Sequence, residues 1–341
     1  MIKKKSPTKI VVIKIGGSCL PDGRSFTKII SNVRETTKEK ETFYSPAYAI
    51  VVLSAFKGLT NTLERAFEKA WERREFPREQ RQKTAFNLMI STHASVYEKY
   101  IANLYSYTNP EQKLLLPEIE KFVKRYFEDN LEPRFLFDAS ENEEKIRAKI
   151  ISFGEKATVA ITREILFKIF GFDSTYLDAK KIIETAPSEN HTFIDQDVNM
   201  EKLQNKLKVI IPHFIAEKRP IFVEGFIGAN EDGATTLLPR DGSDITAAAI
   251  ARALALEGYE VPCVKFYKDV RGVFENWEKR DEEDHLPFMG YKRLKQIVNG
   301  NAVKILHPGV IDILSRKTKK DLDIQSEIAE FKTGIVGTRI G

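Results

Sequence analysis

Cysteine is nearly missing from this chain: Cys19 and Cys263 are the only two in 341 residues. Two cysteines cannot build a disulfide framework, so the fold is held by its core, and the usage suits a reducing cytoplasm. Long hydrophobic runs are also lacking. The first apolar stretch, Ile10 to Ile13, is interrupted by Lys14 and stopped by Gly16-Gly17, too short for a signal region or a membrane span. Neither sign of charge dominates. The 54 Lys and Arg face 49 Asp and Glu, a net charge of +5, which gives no ground for a nucleic-acid surface. The basic runs Lys3 to Lys5 and Arg316 to Lys320 read as solvated tails or helix ends. No Cys/His spacing points to a structural metal, and His93 and His307 lack the partner pattern of acids or bases. Absent too are G-x-x-x-x-G-K-[ST], H-R-D and D-F-G, which excludes the P-loop and the protein-kinase signature set.

What is present is enough chain for two domains, or for one large α/β domain with an insertion. Ile10 to Ile15 reads as a β-branched buried strand ending in Gly16-Gly17, with a helix beginning near Ser25. Ala47 to Leu53 repeats the pattern and leads into Ser54, Phe56, Gly58, Thr60 and Asn61. From Leu63 to about Lys149 the composition changes to long charged helical segments, a helical insertion, with turns at Pro110 and at Asp138 to Glu144. SFGE then precedes a helix with Ala157, Ile161, Ile165 and Ile169 on one face, stopped by Gly171. Strands follow at Ser174 to Leu177, Ile221 to Glu224 and Val261 to Tyr267. Helices are expected at Met200 to Leu207, again before Ile221, and from about Tyr291, with the segment Ala302 to Leu306 after it. Alternating strands and helices predict an α/β fold, a three-layer sandwich around a mainly parallel central sheet. In such sheets ligands bind at the carboxyl ends of the strands.

The stretch Leu237 to Gly258, LLPRDGSDITAAAIARALALEG, reads as a phosphate-handling loop running into a buried helix. Ser243 or Asp244 is expected as its N-cap, the alanines favour helix and close approach to a sheet, and Gly258 closes it. A helix N-terminus attracts phosphate or carboxylate, although an ordinary capped helix has the same sequence signature. Lys14 ends a buried strand where the chain turns through Gly16-Gly17. Its ammonium is therefore expected at the same rim as the loop amides, ready to neutralise charge between phosphates; the alternative is a strand-end lysine reaching solvent.

VIKIGGS, VVLSAFKGLTN, SFGE, GFIGANEDGATTLLPRDGSDITAAAIARAL, KDVRGVF and NAVKILHP occur in the order found in aspartate kinases, and the chain resembles that family from Ile10 to Arg339. The resemblance implies the amino-acid kinase fold, with an acceptor lobe over residues 1–200 carrying an insertion at about 63–149 and an ATP lobe over 201–341. It implies ATP and Mg²⁺ as cofactors, an amino-acid substrate whose β-carboxylate becomes an acyl phosphate, and a homodimer in the cytoplasm. By motif, Lys14, Gly16 and Gly17 hold the transferring phosphoryl group, Asp244 orients Lys14, and Ser243 stands beside the phosphates. Ser54, Thr60 and Glu155 take the acceptor, with Glu155 on its amino group. Lys268, Asp269, Phe274 and Lys304 surround the nucleotide. Thr60 as a plain helix cap and Glu155 as a first-turn carboxylate are the bland alternatives.

Three departures stand out. After DAKKIIET the family pattern supplies an arginine for the substrate's α-carboxylate, yet Ala186 to Asp197 holds no Arg or Lys, leaving His191, Lys180, Lys181 or Arg134 as replacements. Pro239 and Asp241 stand where glycines are usual, so Asp241 is expected either to bind metal or to repel nucleotide. The sequence ends at GIVGTRIG, where the family commonly continues into small regulatory domains, so these domains and feedback inhibition through them are expected to be missing.

Overall fold

The computed structural model describes residues 8–20, 23–37, 48–72, 75–130, 142–186, 193–274, 285–300, 305–315 and 324–341. Lys304, His191, Arg134, the runs at 3–5 and 316–320, and most of the segment 302–306 lie outside the described residues, as does the side chain of His93.

The central strands β1 (Ile10–Ile15) and β2 (Tyr48–Leu53) are almost wholly buried, which is why they read as continuous apolar runs without alternation. They pair in parallel, and β1 pairs in parallel on its other side with β7 (Cys263–Lys268). Outward from β2 come β4 (Ile221–Glu224) and β3 (Thr175–Leu177). Beyond β7 come β9 (Gln325–Glu330), β10 (Val336–Ile340) and β8 (Phe288–Met289). The eight-stranded order is β3-β4-β2-β1-β7-β9-β10-β8, and only β9 and β10 pair antiparallel. A separate antiparallel pair, β5 (Ile227–Ala229) and β6 (Thr235–Leu237), forms a hairpin. The expected α/β sandwich with a mainly parallel sheet is thus observed.

Helices cover both faces. On one side α1 (Arg24–Thr37), α2 (Leu59–Trp71), α3 (Arg78–Tyr107), the short α4 (Pro110–Lys113), α5 (Leu116–Asn130) and α6 (Glu143–Phe170) follow in chain order. Buried residues of α1, α2, α3, α5 and α6 share one core cluster with Val11, Ile13, Ile15, Val51 and Leu53. On the other side α7 (Ala179–Ile182), α8 (Met200–Ala216), α9 (Gly242–Leu256), α10 (Tyr291–Gly300) and α11 (Pro308–Leu314) cover Ile10, Val12, Ile50, Val52, Val264 and Phe266. Among the described residues no helix is long and apolar enough to cross a membrane. Successive strand residues face opposite sides. Lys14 therefore shares the α9 side with Ile10 and Val12, and Lys268 shares it with Val264 and Phe266. Chain order reverses between β1 and β7, so the loops leaving these two strands diverge and open a crevice at the carboxyl ends.

Two helices differ from expectation. SFGE does not precede a helix but lies inside α6, so Glu155 is a mid-helix residue and not a first-turn carboxylate. The true start is Asn142, whose side chain accepts from Lys145 N, with Glu143 and Glu144 in the first turn. Gly154 reads as a loop signal but is a packing residue: a Cβ there would lie 3.2 Å from Leu63 Cδ1 and 3.4 Å from Ala55 Cβ. The two helices expected between Met200 and Ile221 are one, α8, which continues through Pro212. Since α6 and α2 meet at Gly154, Gly154→Val should lower the unfolding free energy by about 1–3 kcal/mol through overpacking. Urea titration would show it as a lower midpoint at unchanged slope.

Candidate active site

Six segments, including the β4–β5 turn at Phe226, converge on a cleft of about 350 Å³ at the carboxyl ends of the strands. The loop after β1 brings Gly16 and Gly17, and the loop after β2 brings Ser54 and runs into α2 with Thr60 and Asn61. The β6–α9 turn brings Arg240 to Ser243, the end of β7 brings Lys268 and Asp269, and α6 brings Glu155. The first two loops touch through backbone. A Cβ on Gly17 would sit 2.4 Å from the Ala55 carbonyl oxygen, so only glycine lets the chain pass there. Ser54 N donates to Ile15 O at 3.2 Å, joining the same loops.

At the inner end of the cleft Asp244 is fully enclosed between two ammonium groups. Lys14 Nζ lies 2.7 Å from its Oδ1 and Lys268 Nζ lies 2.8 Å from its Oδ2. Burial alone would raise the Asp244 carboxyl, but the two lysines outweigh burial and hold it below the ordinary carboxylate range. Lys268 is pushed down by burial and by Lys14, partly offset by Asp244. Asp244 is in the first turn of α9, but it is not the N-cap. That position belongs to Asp241, in the left-handed region at φ 66° and without a side-chain cap bond. The turn needs a left-handed residue, and aspartate is among the few non-glycine residues that tolerate it. Neither Ser243 nor Asp244 is used up in capping, and Ser243 lines the cleft.

The same cleft also holds a buried acid. Glu155 is 3% exposed, and among the described residues its Oε2 has no hydrogen-bond partner. Its Oε1 receives the Thr60 hydroxyl at 3.5 Å, a long contact. Burial pushes the carboxyl up to about 8; amide donors of Glu155 and Ala55 and the Thr60 hydroxyl oppose that, while the Glu224 carboxylate adds to it. The Phe226 backbone borders the cleft at φ 69°, a costly conformation for a bulky residue. Hydrogen bonds from Phe226 N to Thr246 Oγ1 and from Leu238 N to Phe226 O hold it there.

The structure thus brings together Lys14, Gly16, Gly17, Ser54, Thr60, Glu155, Ser243, Lys268 and Asp269. Phe274 is not among the residues lining the cleft; it is buried, and its backbone bridges His285. The residue that sequence reasoning missed is Arg240. Its guanidinium is at the cleft mouth, where Nη2 donates to Asn61 Oδ1 at 2.6 Å. It reaches the cleft from the turn before α9, and the sequence signal was the R of PRDGSD itself.

The model of the Amino acid kinase family matches residues 9–320. The chain belongs to this family. Within it, the chain is 25% identical over 308 residues to a bifunctional aspartokinase/homoserine dehydrogenase of Buchnera aphidicola, covering 89% of this chain and 34% of that protein. It is 25% identical over 313 residues to an aspartokinase of Chlamydia muridarum, covering 91% and 58%. E. coli aspartokinase III, solved in complex with aspartate and ADP, shares the fold at a TM-score of 0.68 and 20% identity, over 97% of this chain and 64% of that one. The chain therefore spans between about a third and under two thirds of the lengths of these relatives. The resemblance to aspartate kinases carried by the motifs is borne out.

Glu155 gives a measurable pH signature. Between about pH 4.5 and 8 the folded protein keeps a proton that the unfolded chain has released, so this group makes the fold less stable as pH rises through that window. Glu155→Gln removes the titration. The stability of the unsubstituted protein relative to the variant should fall across that window by up to about 1.4 kcal/mol per pH unit. Parallel profiles in denaturant titrations would show a carboxyl ionised throughout.

Proposed function

We propose that the chain transfers the γ-phosphoryl group of ATP to the β-carboxylate of L-aspartate, giving 4-phospho-L-aspartate and ADP. The observation that carries this reading is the distribution of charge in one cleft. A buried carboxyl whose Oε2 has no partner among the described residues, Glu155, and a guanidinium, Arg240, share it with the Lys14–Asp244–Lys268 cluster. An amino acid offers an ammonium for Glu155 and an α-carboxylate for Arg240, whose planar fork suits a carboxylate. Its side-chain carboxylate then extends toward the lysines. The aspartokinases among the relatives, and the aspartate and ADP held by the E. coli enzyme, agree with this assignment.

A carboxylate nucleophile is already ionised, so the transfer needs no general base. A bond forms from an acceptor oxygen to the γ-phosphorus as the bond to the β–γ bridging oxygen breaks, and ADP carries away the electron pair. The requirement is alignment and compensation of charge spreading over the transferred group. Lys14 and Lys268 supply cations, and Asp244 keeps two like charges in place at the ends of adjacent strands. Gly16 and Gly17 line the cleft with Ser243 beside them; the Gly16 amide donates to Tyr267 O at 3.4 Å, which leaves the Gly17 amide for the phosphate oxygens. Mg²⁺ is usually held by one or two carboxylates plus substrate phosphates. Asp241 and Asp269 both line the cleft and fit that donor set, so they would hold the ion, which supplies electrostatic neutralisation of the phosphates. Lys304 remains assigned to the nucleotide by its motif.

Incubation with ATP, Mg²⁺, hydroxylamine and a panel of amino acids tests the activity, because hydroxylamine traps an acyl phosphate as a hydroxamate. Aspartate alone should yield product. Hydroxamate from another acid would reassign the acceptor, and nucleotide binding without any hydroxamate would make the chain a binding protein. In the active protein, Lys14→Ala should lower kcat by about 10²–10³ while ATP affinity changes much less, since the ammonium matters most as charge redistributes. Near-normal turnover would remove Lys14 from phosphoryl transfer.

A further inference from the structure

Thr60 and Asn61 are consecutive residues in the first turn of α2, and they hold an acid and a base respectively. Thr60 Oγ1 donates to Glu155 Oε1, and Asn61 Oδ1 accepts from Arg240 Nη2 at 2.6 Å. The turn itself is fixed in direction, since Gly58 enters it in the left-handed region at φ 80°. Glu155 is locked within α6, whereas Arg240 is an exposed side chain on a turn. An exposed arginine samples many rotamers, and ordering it costs entropy that a positioned partner can meet before any ligand arrives. Asn61 is that partner. It touches Arg240 from the opposite wall and selects a rotamer that keeps the guanidinium at the cleft mouth.

We propose that Asn61 is a positioning residue that, together with Thr60, sets the separation between the cation and anion receptors and so selects acceptors bearing an α-amino acid head. The inference rests on the function proposed above and deepens it. One helical turn spans the carboxylate that takes the ammonium and the guanidinium that takes the carboxylate. A ligand carrying both charges on one carbon matches this gauge. A simple carboxylate, or an amine with its carboxylate further along the chain, engages only one receptor.

The test compares L-aspartate with β-alanine, which is aspartate without its α-carboxylate. In the full chain and in Asn61→Ala, the KM for aspartate is measured by hydroxamate formation and the Ki of β-alanine by competition against aspartate. The substitution should raise the aspartate KM roughly tenfold, with a smaller change in kcat, while the β-alanine Ki and the ATP KM stay within about twofold. Discrimination between the two ligands then shrinks by the same factor. An unchanged aspartate KM would overturn the proposal. So would an equal rise for both ligands, which would mean a general disturbance of the cleft, and so would a changed ATP KM. If the unsubstituted chain forms no hydroxamate from aspartate, the underlying function fails before the role of Asn61 is reached, which separates the two failures.

Discussion

A single buried carboxylate ties the centre of this molecule together. Asp244 projects from the first turn of α9 between lysines at the ends of β1 and β7, so one helix start and two adjacent strand ends are registered by one group. Alone, either lysine in this setting would carry a heavy desolvation cost, and the two would repel each other. Paired through one carboxylate they form a net-positive cluster that is already dehydrated. Such a cluster is poor at holding neutral ligands and well suited to oxyanions. Its orientation also follows from strand periodicity, since an odd shift in the register of β1 would turn Lys14 toward the α1 side.

Glu155, which lines the same cleft, uses burial in the opposite sense. It sits in the middle of α6, where burial pushes its carboxyl up to about 8.

Much of this could be read from residue order. The strand–glycine loops after β1 and β2 and the alanine-rich α9 were legible because buried parallel strands and small-residue helices leave strong local signatures. Other parts were hidden by tertiary demands. Gly154 imitates a loop, yet it marks where α6 touches Leu63 and Ala55. Strands β9 and β10 were missed because their polar residues break up the apolar pattern, as in QSEIAE and VGTRI. Arg240 escaped because its partner, Asn61, lies on a different wall, and a contact across a cleft has no local sequence signature. Asp241 looked like a departure from a glycine pattern, but the turn asks for a left-handed backbone, and aspartate can supply it.

The edges of the sheet bear on how copies of the chain can meet. Its eight strands end at β3, three residues long, and at β8, two residues long. So little unpaired backbone is a poor template for another strand, and stunted edges are one way natural sheets avoid fibrous stacking. Among the described residues, contact between two copies would therefore have to be built from side-chain surfaces and not by lengthening the sheet, which separates assembly from aggregation in this fold.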